Sequence, residues 1–395
     1  DVYKRQEKNR GNHMKEDVFA YIDDHKAQMM DLWQDLVNQD SPASYREGVD
    51  LVAKRVFKEL EEAGASTRWD EEGKALIAEI PGDSRAPVLL LGHMDTVFPV
   101  GEAARRPFTV EGSRVTGPGA LDMKGGVAVM LSALKALHSA GFSGRPLKVI
   151  LVSDEEIAHN GSKATVMLQR EARGCAACFN CETGYEDNSL VIGRKGGVVF
   201  KAAVHGIAAH AGNNPRQGRS AIWEMAKKID DIQNMTDWDK GITFNVGTIK
   251  GGTVSNAIPD YCEVEGDIRF QDPDISPLVK EELLKVLNHT YIEGTKTELL
   301  LYHEGMLPMK MTEENRKLFE FVKKTGEENG IPVSEGKLVG GGSDSGYVVY
   351  AGVPTVCAMG VKGRFNHTRD EYALKDSLFE RAKLLGAVIL KMNEV

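Results

Sequence analysis

Apolar residues recur with helical spacing at the start of the chain and in short unbroken runs further on. Residues 16–37 and 47–63 each place apolar side chains on one face of a predicted helix, and Gly64 ends the second pattern. The next apolar runs, 87–92 and 147–152, are aliphatic and bounded by Gly, Pro or Asp. Runs of this kind are typical of strands that are buried on both faces.

A further helix is predicted between these two strands, over residues 124–140, where apolar positions recur every three or four residues. Strand, helix and strand in this order favour a mostly parallel sheet flanked by helices. From about Gly193 the pattern changes to an α+β one. Its predicted strands cover residues 198–204, 243–249 and 261–270, and its predicted helices cover residues 220–233 and 276–287.

The α/β pattern resumes after Met306, with a helix over residues 313–328, a strand over 354–358 and a terminal helix from Lys375. The sequence therefore predicts an α/β fold with an inserted α+β domain. The predicted boundaries assign residues 14–192 and 304–395 to a discontinuous first domain and residues 193–303 to the insert. Residues 1–13 are polar and patternless, and we expect them to be disordered or a remnant of gene assembly.

Charge and composition exclude several classes of protein. The 395 residues carry a formal net charge of −9, so no basic surplus is present to neutralise phosphates and nucleic acid is not an expected partner. No stretch approaches the ~20 apolar residues that a membrane-spanning helix needs, and the N-terminus lacks the apolar core of a secretion signal. We therefore expect a cytoplasmic protein that does not bind membranes.

Five cysteines are too few for a disulfide scaffold in a chain of this length, which suits a reducing compartment. Cys175, Cys178 and Cys181 form a CxxCxxC run, so one hypothesis is a structural zinc site or an iron–sulfur cluster. No fourth ligand is evident nearby. The favoured interpretation is that these cysteines are small apolar residues in or beside a buried strand.

Charged residues at the carboxyl ends of predicted strands indicate a ligand site, because open α/β sheets form their ligand crevice there. His93 and Asp95 follow a buried strand and are two residues apart, so both side chains point to one side. Asp122 lies in a glycine-rich turn before a helix. Taken singly, each has an ordinary structural explanation: a hydrogen-bonded core histidine for His93 and a helix N-cap for Asp122.

Asp154, Glu155 and Glu156 end another strand, and their mutual repulsion is unfavourable without a cation nearby. A solvated acidic turn is the alternative. Glu182 and His367 complete a predicted site of two imidazoles and three carboxylates, which suits zinc, cobalt or manganese. With two ions bound, one acid of the adjacent pair can bind metal while the other acts as a base.

Seven segments occur in the order GHMDTV, GALDMKGG, SDEE, HGIAAHAGNNP, GGTVSNAIPD, GGGSDSG and NHTRDEY. Together they resemble the signature segments of the family that includes aminoacylases, acetylornithine and succinyl-diaminopimelate deacylases and bacterial glutamate carboxypeptidase. The resemblance spans Met14 to Val395. It implies a two-zinc hydrolase that cuts an amide bond beside a free carboxylate, by releasing a C-terminal amino acid from a peptide or by deacylating an N-acyl amino acid.

The resemblance also implies roles for the acidic and histidine residues. One ion would be held by His93, Asp122 and Glu182, and the other by Asp122, Glu156 and His367, with Asp122 as the bridge. Glu155 would be the general base, and Asp95 would orient His93. The peptide bond after Asp122 is expected to be strained or cis.

The insert is expected to be the family's lid and dimerisation domain, so the resemblance predicts a homodimer. It implies that His210 donates across the dimer to the carbonyl oxygen under attack and that Asn256 and Arg269 hold the substrate carboxylate. Gly341 and Ser343 belong to a segment that resembles a substrate-binding loop. The alternatives are that His210 is a mobile surface histidine and that Arg269 pairs with the neighbouring Asp267.

The chain departs from the family pattern directly after the acidic pair, where many relatives have glycine. Here Glu156 is followed by Ile157, Ala158 and His159, so the shape of the pocket near the metals is expected to differ. His159 is expected to be a bystander rather than a ligand. A non-catalytic metal-dependent binding protein is the alternative of another class, but the predicted ligands together with Glu155 favour an enzyme.

Overall fold

The computed structural model describes residues 2–393, with side chains from residue 13 onward. It divides the chain into two compact units. The first consists of Asp1–Ile192, Met311–Leu338 and Tyr347–Val395, and the second consists of Gly193–Lys310 and Val339–Gly346. Each unit has an apolar core of its own.

Eleven α-helices occur in the described part of the chain. They are α1 Val2–Asp24, α2 Lys26–Val37, α3 Arg46–Glu62, α4 Glu102–Arg105, α5 Gly125–Ser139, α6 Ala164–Ala172, α7 Ala221–Asn234, α8 Ser276–Asn288, α9 Glu313–Glu328, α10 Ser345–Tyr350 and α11 Ser377–Met392. Within residues 2–393, none of these helices is both long enough and apolar enough to cross a membrane.

The strands of the same residues form five sheets. They are β1 Ser66–Asp70, β2 Ala75–Ile80, β3 Val88–His93, β4 Thr109–Glu111, β5 Arg114–Thr116, β6 Leu147–Val152, β7 Ala177–Asn180, β8 Gly184–Tyr185, β9 Leu190–Arg194, β10 Gly196–His205, β11 Ala209–His210, β12 Thr243–Gly251, β13 Ala257–Ile258, β14 Tyr261–Phe270, β15 Lys296–Glu304, β16 Gly336–Val339, β17 Thr355–Val356, β18 Lys362–Arg364 and β19 Tyr372–Leu374.

The central sheet of the first unit has the strand order β1-β2-β6-β3-β7-β17. Strands β6, β3, β7 and β17 are parallel to one another. At one edge of the sheet, β2 is antiparallel to β6, and β1 is antiparallel to β2. The mostly parallel sheet flanked by helices is therefore confirmed. Since β6, β3 and β7 are neighbours, the residues that follow their carboxyl ends lie close together.

Helix α5 packs tightly behind these strand ends. At its first turn, a β-carbon added to Gly126 would lie 1.8 Å from the backbone oxygen of Cys181, just beyond β7. Only glycine allows this approach of backbone to backbone. The second glycine of the DMKGG segment thus brings the start of α5 against the segment that carries Glu182.

The N-terminal helices differ from the prediction in two ways. The backbone of residues 2–13 continues α1 in place of the predicted disorder; this segment lacks proline and is rich in Lys, Glu, Arg and Gln, which are good helix formers. The side chains of residues 1–12 lie outside the described part of the chain. The single predicted helix over residues 16–37 is interrupted at His25, whose ring stacks on Tyr21 and whose Nδ1 lies 2.8 Å from the Tyr21 oxygen.

The second unit is built on the antiparallel sheet β12-β14-β10-β15, with α7 and α8 packed against it. It starts at Gly193, as in the predicted insert, but it extends to Lys310. One reason is that the Arg194 backbone N–H donates to the Met309 oxygen at 2.9 Å. The segment 339–346 also belongs to this unit, since Lys195 N–H donates to the Val339 oxygen.

The cysteines do not form a metal site. All five are free and buried, and among the described residues no group of side chains close enough to hold an ion includes a cysteine. The hypothesis of an iron–sulfur or structural-zinc site on Cys175, Cys178 and Cys181 is therefore wrong. Burial raises the pKa of the Cys178 thiol well above its usual value and that of Cys181 likewise, so both are apolar packing groups in and beside β7.

Candidate active site

His93 stands at the end of β3, with its ring almost fully buried and fixed from both sides. Its Nδ1 lies 3.0 Å from the Asp95 backbone oxygen and 3.3 Å from an Asp95 carboxylate oxygen. Its Nε2 points to Asp122 Oδ1 at 3.3 Å. The hydrogen bond at Nδ1 assigns the lone pair to Nε2, which is the arrangement that a metal-ligating histidine requires.

Asp122 lies between the two histidines of the site. Its Oδ1 faces His93, and its Oδ2 lies 3.1 Å from His367 Nε2 and accepts a hydrogen bond from Asn366 Nδ2 at 3.1 Å. His367 Nε2 lies 3.1 Å from Glu156 Oε2. The two oxygens of one carboxylate therefore serve two separate clusters, which is the geometry of a bridging ligand.

Three groups of side chains have ligand atoms within 4.8 Å of one another. They are His93, Asp122 and Glu182; His93, Glu155 and Glu156; and Asp122, Glu156 and His367. The first and third reproduce the two ligand sets that the resemblance implies. Since His93 Nε2 can serve one ion only, the second group is an alternative to the first and not an additional site.

The charges of these side chains explain why a cation fits. Burial and the adjacent Asp122 raise the pKa of Glu156 to about 7, and Glu156 Oε1 is buried without a hydrogen-bond partner among the described residues. Hydrogen bonds to Asp122 and Glu156 raise the pKa of His367 to about 11. Burial lowers the pKa of His93, but its contacts with Asp122 and Asp95 outweigh this and raise it well above its usual value. The negative charge of the carboxylates thus favours positive charge beside both imidazoles, and divalent ions bound there would supply it.

Asp95 has a contact that the sequence did not predict. Besides facing His93, its carboxylate accepts the backbone N–H groups of Glu155 at 3.2 Å and of Glu156 at 3.0 Å. Asp95 is fully buried, so this is a well-shielded set of charge-assisted hydrogen bonds. It links the end of β3 to the acidic turn that follows β6.

The turn that carries Asp122 is held by three buried side chains. Trp33 Nε1 donates to the Ala120 oxygen at 3.0 Å, Glu371 accepts the Leu121 N–H at 3.1 Å, and Lys124 donates back to the Gln39 oxygen. The peptide bond between Asp122 and Met123 is cis, as expected.

Glu371 was missed by the sequence reasoning although it lies in the NHTRDEY segment, four residues after His367. It is fully buried, and burial together with Asp122 raises its pKa to about 8. The available signal was a charged residue beside a predicted ligand and directly before an apolar run. What it could not reveal is that this carboxylate reaches the backbone of a turn 250 positions earlier.

The remaining predicted site residues belong to the second unit. His210 lies on the short strand β11, and its Nδ1 accepts the N–H groups of Gly212 and Asn213, both at 3.1 Å. With Nδ1 as acceptor, the proton of the neutral ring is on Nε2, which can donate to a substrate. The Asn256 backbone oxygen accepts the Ala211 N–H at 2.9 Å, which holds Asn256 next to this strand.

Arg269 is half-exposed on β14 and forms a two-point ion pair with Asp267, with Nε to Oδ1 and Nη2 to Oδ2 both at 2.8 Å. This pairing is the alternative to carboxylate binding that the sequence predicts. In the glycine-rich loop, Arg194 Nη1 donates to the oxygens of Gly341 at 3.2 Å and Gly342 at 3.3 Å. Ser343 is buried, and its hydroxyl accepts the Ser345 N–H at 3.2 Å.

Comparison with known proteins finds relatives that match nearly the whole chain. Carboxypeptidase G2 from Pseudomonas sp. (strain RS-16) is 27% identical over 384 residues, which cover 95% of this chain and 92% of that protein. A succinyl-diaminopimelate desuccinylase from Xylella fastidiosa (strain M23) is 27% identical over 375 residues, covering 88% of this chain and 94% of its own length.

Two solved structures share the fold. Aminopeptidase PepT from Bacillus cereus superposes with a TM-score of 0.80 at 21% identity, over 93% of this chain and 98% of its own. The YXEP protein of Bacillus subtilis, described as a dinuclear metal binding peptidase, gives a TM-score of 0.70 at 16% identity, over 94% and 99% of the two chains. The sequence model of peptidase family M20/M25/M40 matches residues 89–391. The chain is therefore a metallohydrolase of amide bonds and belongs to peptidase family M20/M25/M40.

Proposed function

We propose that this protein is a two-metal exopeptidase of the glutamate carboxypeptidase type, which releases a C-terminal amino acid from a peptide or peptide-like substrate. The observation that carries the proposal is Asp122, whose two oxygens face His93 and His367 separately. The proposal is supported by the similarity to carboxypeptidase G2 over nearly the whole of both chains. It is also supported by the description of the YXEP protein as a dinuclear metal binding peptidase.

Two divalent ions, zinc first and cobalt or manganese as alternatives, would polarise the amide carbonyl and acidify the attacking water when bound here. They would be held by His93, Asp122, Glu156, Glu182 and His367. The chain's own residues do the rest of the chemistry. Glu155, whose Oε2 lies 3.9 Å from His93 Nε2, takes the proton from the water and delivers it to the leaving amine.

The second unit supplies the groups that bind substrate in this proposal. The partner subunit's His210 donates from Nε2 to the carbonyl oxygen, where negative charge develops. Asn256 and Arg269 hold the carboxylate of the released amino acid, and the loop with Gly341 and Ser343 borders the substrate. Asp267 takes one N–H from Nε and one from Nη2 of Arg269. The three N–H groups that remain, two on Nη1 and one on Nη2, would bind a carboxylate.

The homodimer is part of the proposal, and one surface of the second unit supports it. Strand β12 is an edge strand of its sheet, and edge strands offer unpaired backbone groups to another chain. Large apolar side chains are exposed on and beside it: Trp223 at 59%, Ile249 at 53% and Val254 at 62%. A second copy of the chain would cover them.

Substitution of Trp223 by Glu is expected to weaken this dimer, because a charge would be buried in its apolar contact. Analytical ultracentrifugation over a range of concentrations should show the wild type as a dimer and the variant shifted toward monomer. Leu278→Glu is the control, since Leu278 is equally exposed at 60% but lies on α8. A monomeric wild type, or an unshifted Trp223 variant, would contradict this interface.

Hydrolysis of a substrate panel tests the function. Protein loaded with zinc or cobalt is incubated with dipeptides and N-acyl amino acids in which both ends vary, and amino-acid release is measured with and without a chelator. We expect chelator-sensitive release with faster turnover of peptides. Faster turnover of N-acyl amino acids would favour the deacylase alternative, which the similarity to the desuccinylase supports. No release by protein with two verified ions would favour a binding protein.

A cytoplasmic location completes the proposal and is supported by five free cysteines, none of which forms a disulfide.

A further inference from the structure

The acidic turn after β6 is closed by hydrogen bonds of its own. The Ala158 N–H donates to the Glu155 oxygen at 2.8 Å, and the His159 N–H donates to the Asp154 oxygen at 2.9 Å. Ala158 and His159 both have left-handed backbones, with φ of 51° and 58°. Two consecutive non-glycine residues in this region are uncommon and need side-chain contacts to hold them.

His159 supplies that contact. Its Nδ1 lies 2.8 Å from Asp154 Oδ1, and both side chains are buried, with 1% and 2% of their surface exposed. The edge of its ring meets Tyr347, with the ring centroids 5.8 Å apart. A buried hydrogen bond of this kind is costly to break, because each group would lose its partner without gaining water. The imidazole and the carboxylate therefore fasten the two ends of the turn together.

The turn is thus fixed at two places. Asp95 holds the backbone N–H groups of Glu155 and Glu156 on one side, and the Asp154–His159 pair holds the ends on the other. Between these two anchors, contacts within the chain fix the backbone positions of Glu155 and Glu156. This brings Glu156 Oε2 to 3.1 Å from His367 Nε2.

We propose that His159 is a positioning residue that sets the geometry of Glu156 as a metal ligand and of Glu155 as the base. It does so through the Nδ1 contact with Asp154, and it belongs to none of the groups able to hold an ion. The proposal rests on the proposed two-metal function for its catalytic part. Its metal-binding part depends only on the contacts of the turn.

Two substitutions at one position test the proposal. His159→Leu replaces the donor to Asp154 with an apolar side chain. His159→Asn retains an N–H donor at the place of Nδ1. Cobalt is titrated into each metal-free protein and followed by visible absorption, and kcat and KM are measured on the best substrate of the wild type. His138→Leu is the control, because His138 is exposed on α5.

We expect His159→Leu to weaken binding of one of the two cobalt ions by about 10–100-fold, the usual effect of losing a partner behind a metal ligand. Its visible spectrum should change, and kcat should fall by a similar factor with little change in KM. His159→Asn should recover most of the affinity and the spectrum. This recovery separates positioning of the ligands from a general loss of structure.

Two results would overturn the proposal. One is cobalt affinity and a spectrum in His159→Leu that match the wild type. The other is equal impairment of the Leu and Asn variants, which would show that the donor to Asp154 is not responsible. If the wild type binds two ions but cleaves no amide, the proposed function fails, and the cobalt titration still decides the role of His159.

Discussion

Replacement of Glu155 by Gln is expected to reduce kcat by about 10²–10⁴-fold, the contribution that a positioned general base makes. Gln has the shape of Glu but cannot accept the proton of the attacking water. The hydrogen bond from the backbone N–H of residue 155 to Asp95 does not involve the side chain, so the turn should be unchanged. Two metal ions per chain should remain bound, measured by elemental analysis beside the kinetics.

Glu156→Gln is the matched comparison for this prediction, since it makes the same change, carboxylate to amide, at the adjacent residue. Glu156 Oε2 contacts His367 and shares a cluster with Asp122, so this variant should lose one ion and activity together. Glu72→Gln, at an exposed ion pair with Lys163, controls for loss of a carboxylate elsewhere. Substantial turnover by Glu155→Gln would remove Glu155 from the role of base.

Much of the fold could be predicted because its signals are local. The strand Leu147–Val152, the strand Tyr261–Phe270 and the helix Glu313–Glu328 have the bounds that the apolar pattern predicted. In the strand Tyr261–Phe270 and the helix Glu313–Glu328 the spacing of apolar residues matches the buried face. In the strand Leu147–Val152 the nearly unbroken apolar run matches burial on both faces. The parallel sheet then follows from the order of strands and helices.

Elements with little burial were harder to predict. Strand β15 was absent from the prediction, and its residues alternate between exposed and partly exposed rather than between exposed and buried. It is an edge strand that pairs with β10. Its apolar run, residues 299–302, does not alternate with polar residues, and Leu300 and Leu301 are exposed, so the pattern of a half-buried strand is missing. The same reason explains why the second unit extends beyond the predicted insert.

For the candidate site, the sequence indicated the ligand residues but not the contacts that support them. Strand ends and the glycine-rich turn indicated His93, Asp122 and Glu182 as candidates, but each has an ordinary structural explanation when taken singly, and the resemblance of the seven segments gave them their roles. The supporting contacts of Asp95 with the acidic turn and of Glu371 with Leu121 join segments 60 and 250 residues apart. No spacing within the sequence encodes such contacts. The contact of His159 with Asp154 joins residues only five positions apart, but it depends on the left-handed backbone of Ala158 and His159, which the sequence did not predict.

A buried ion pair in the second unit leads to the largest predicted effect on stability. Lys228 and Glu224 are one helical turn apart on α7, 3.0 Å from each other and fully buried. Lys228 Nζ donates to the oxygens of Val286 and Leu287, both at 3.0 Å. Since α8 ends at Asn288, these are carbonyls of its last turn. The Val286 oxygen also accepts the His289 N–H, at 3.3 Å.

Glu224 completes the same connection from its other side. Its Oε2 accepts the N–H groups of Tyr291 at 2.9 Å and Ile292 at 2.6 Å, in the segment that leads from α8 to β15. Two adjacent side chains of α7 thus satisfy both the carbonyls that end α8 and the N–H groups that follow. The pair fastens the two helices of this unit to each other.

Lys228→Met is therefore expected to lower the free energy of unfolding by about 3–5 kcal/mol, the usual cost of removing one partner of a buried pair. The Glu224 carboxylate would stay buried without its counter-charge, and the carbonyls of α8 would lose their donor. Urea unfolding followed by circular dichroism measures the loss. Lys227→Met, on the adjacent exposed position of α7, should change stability by no more than about 0.5 kcal/mol. A similarly small change for Lys228→Met would mean that packing around α7, and not this ion pair, holds α8 in place.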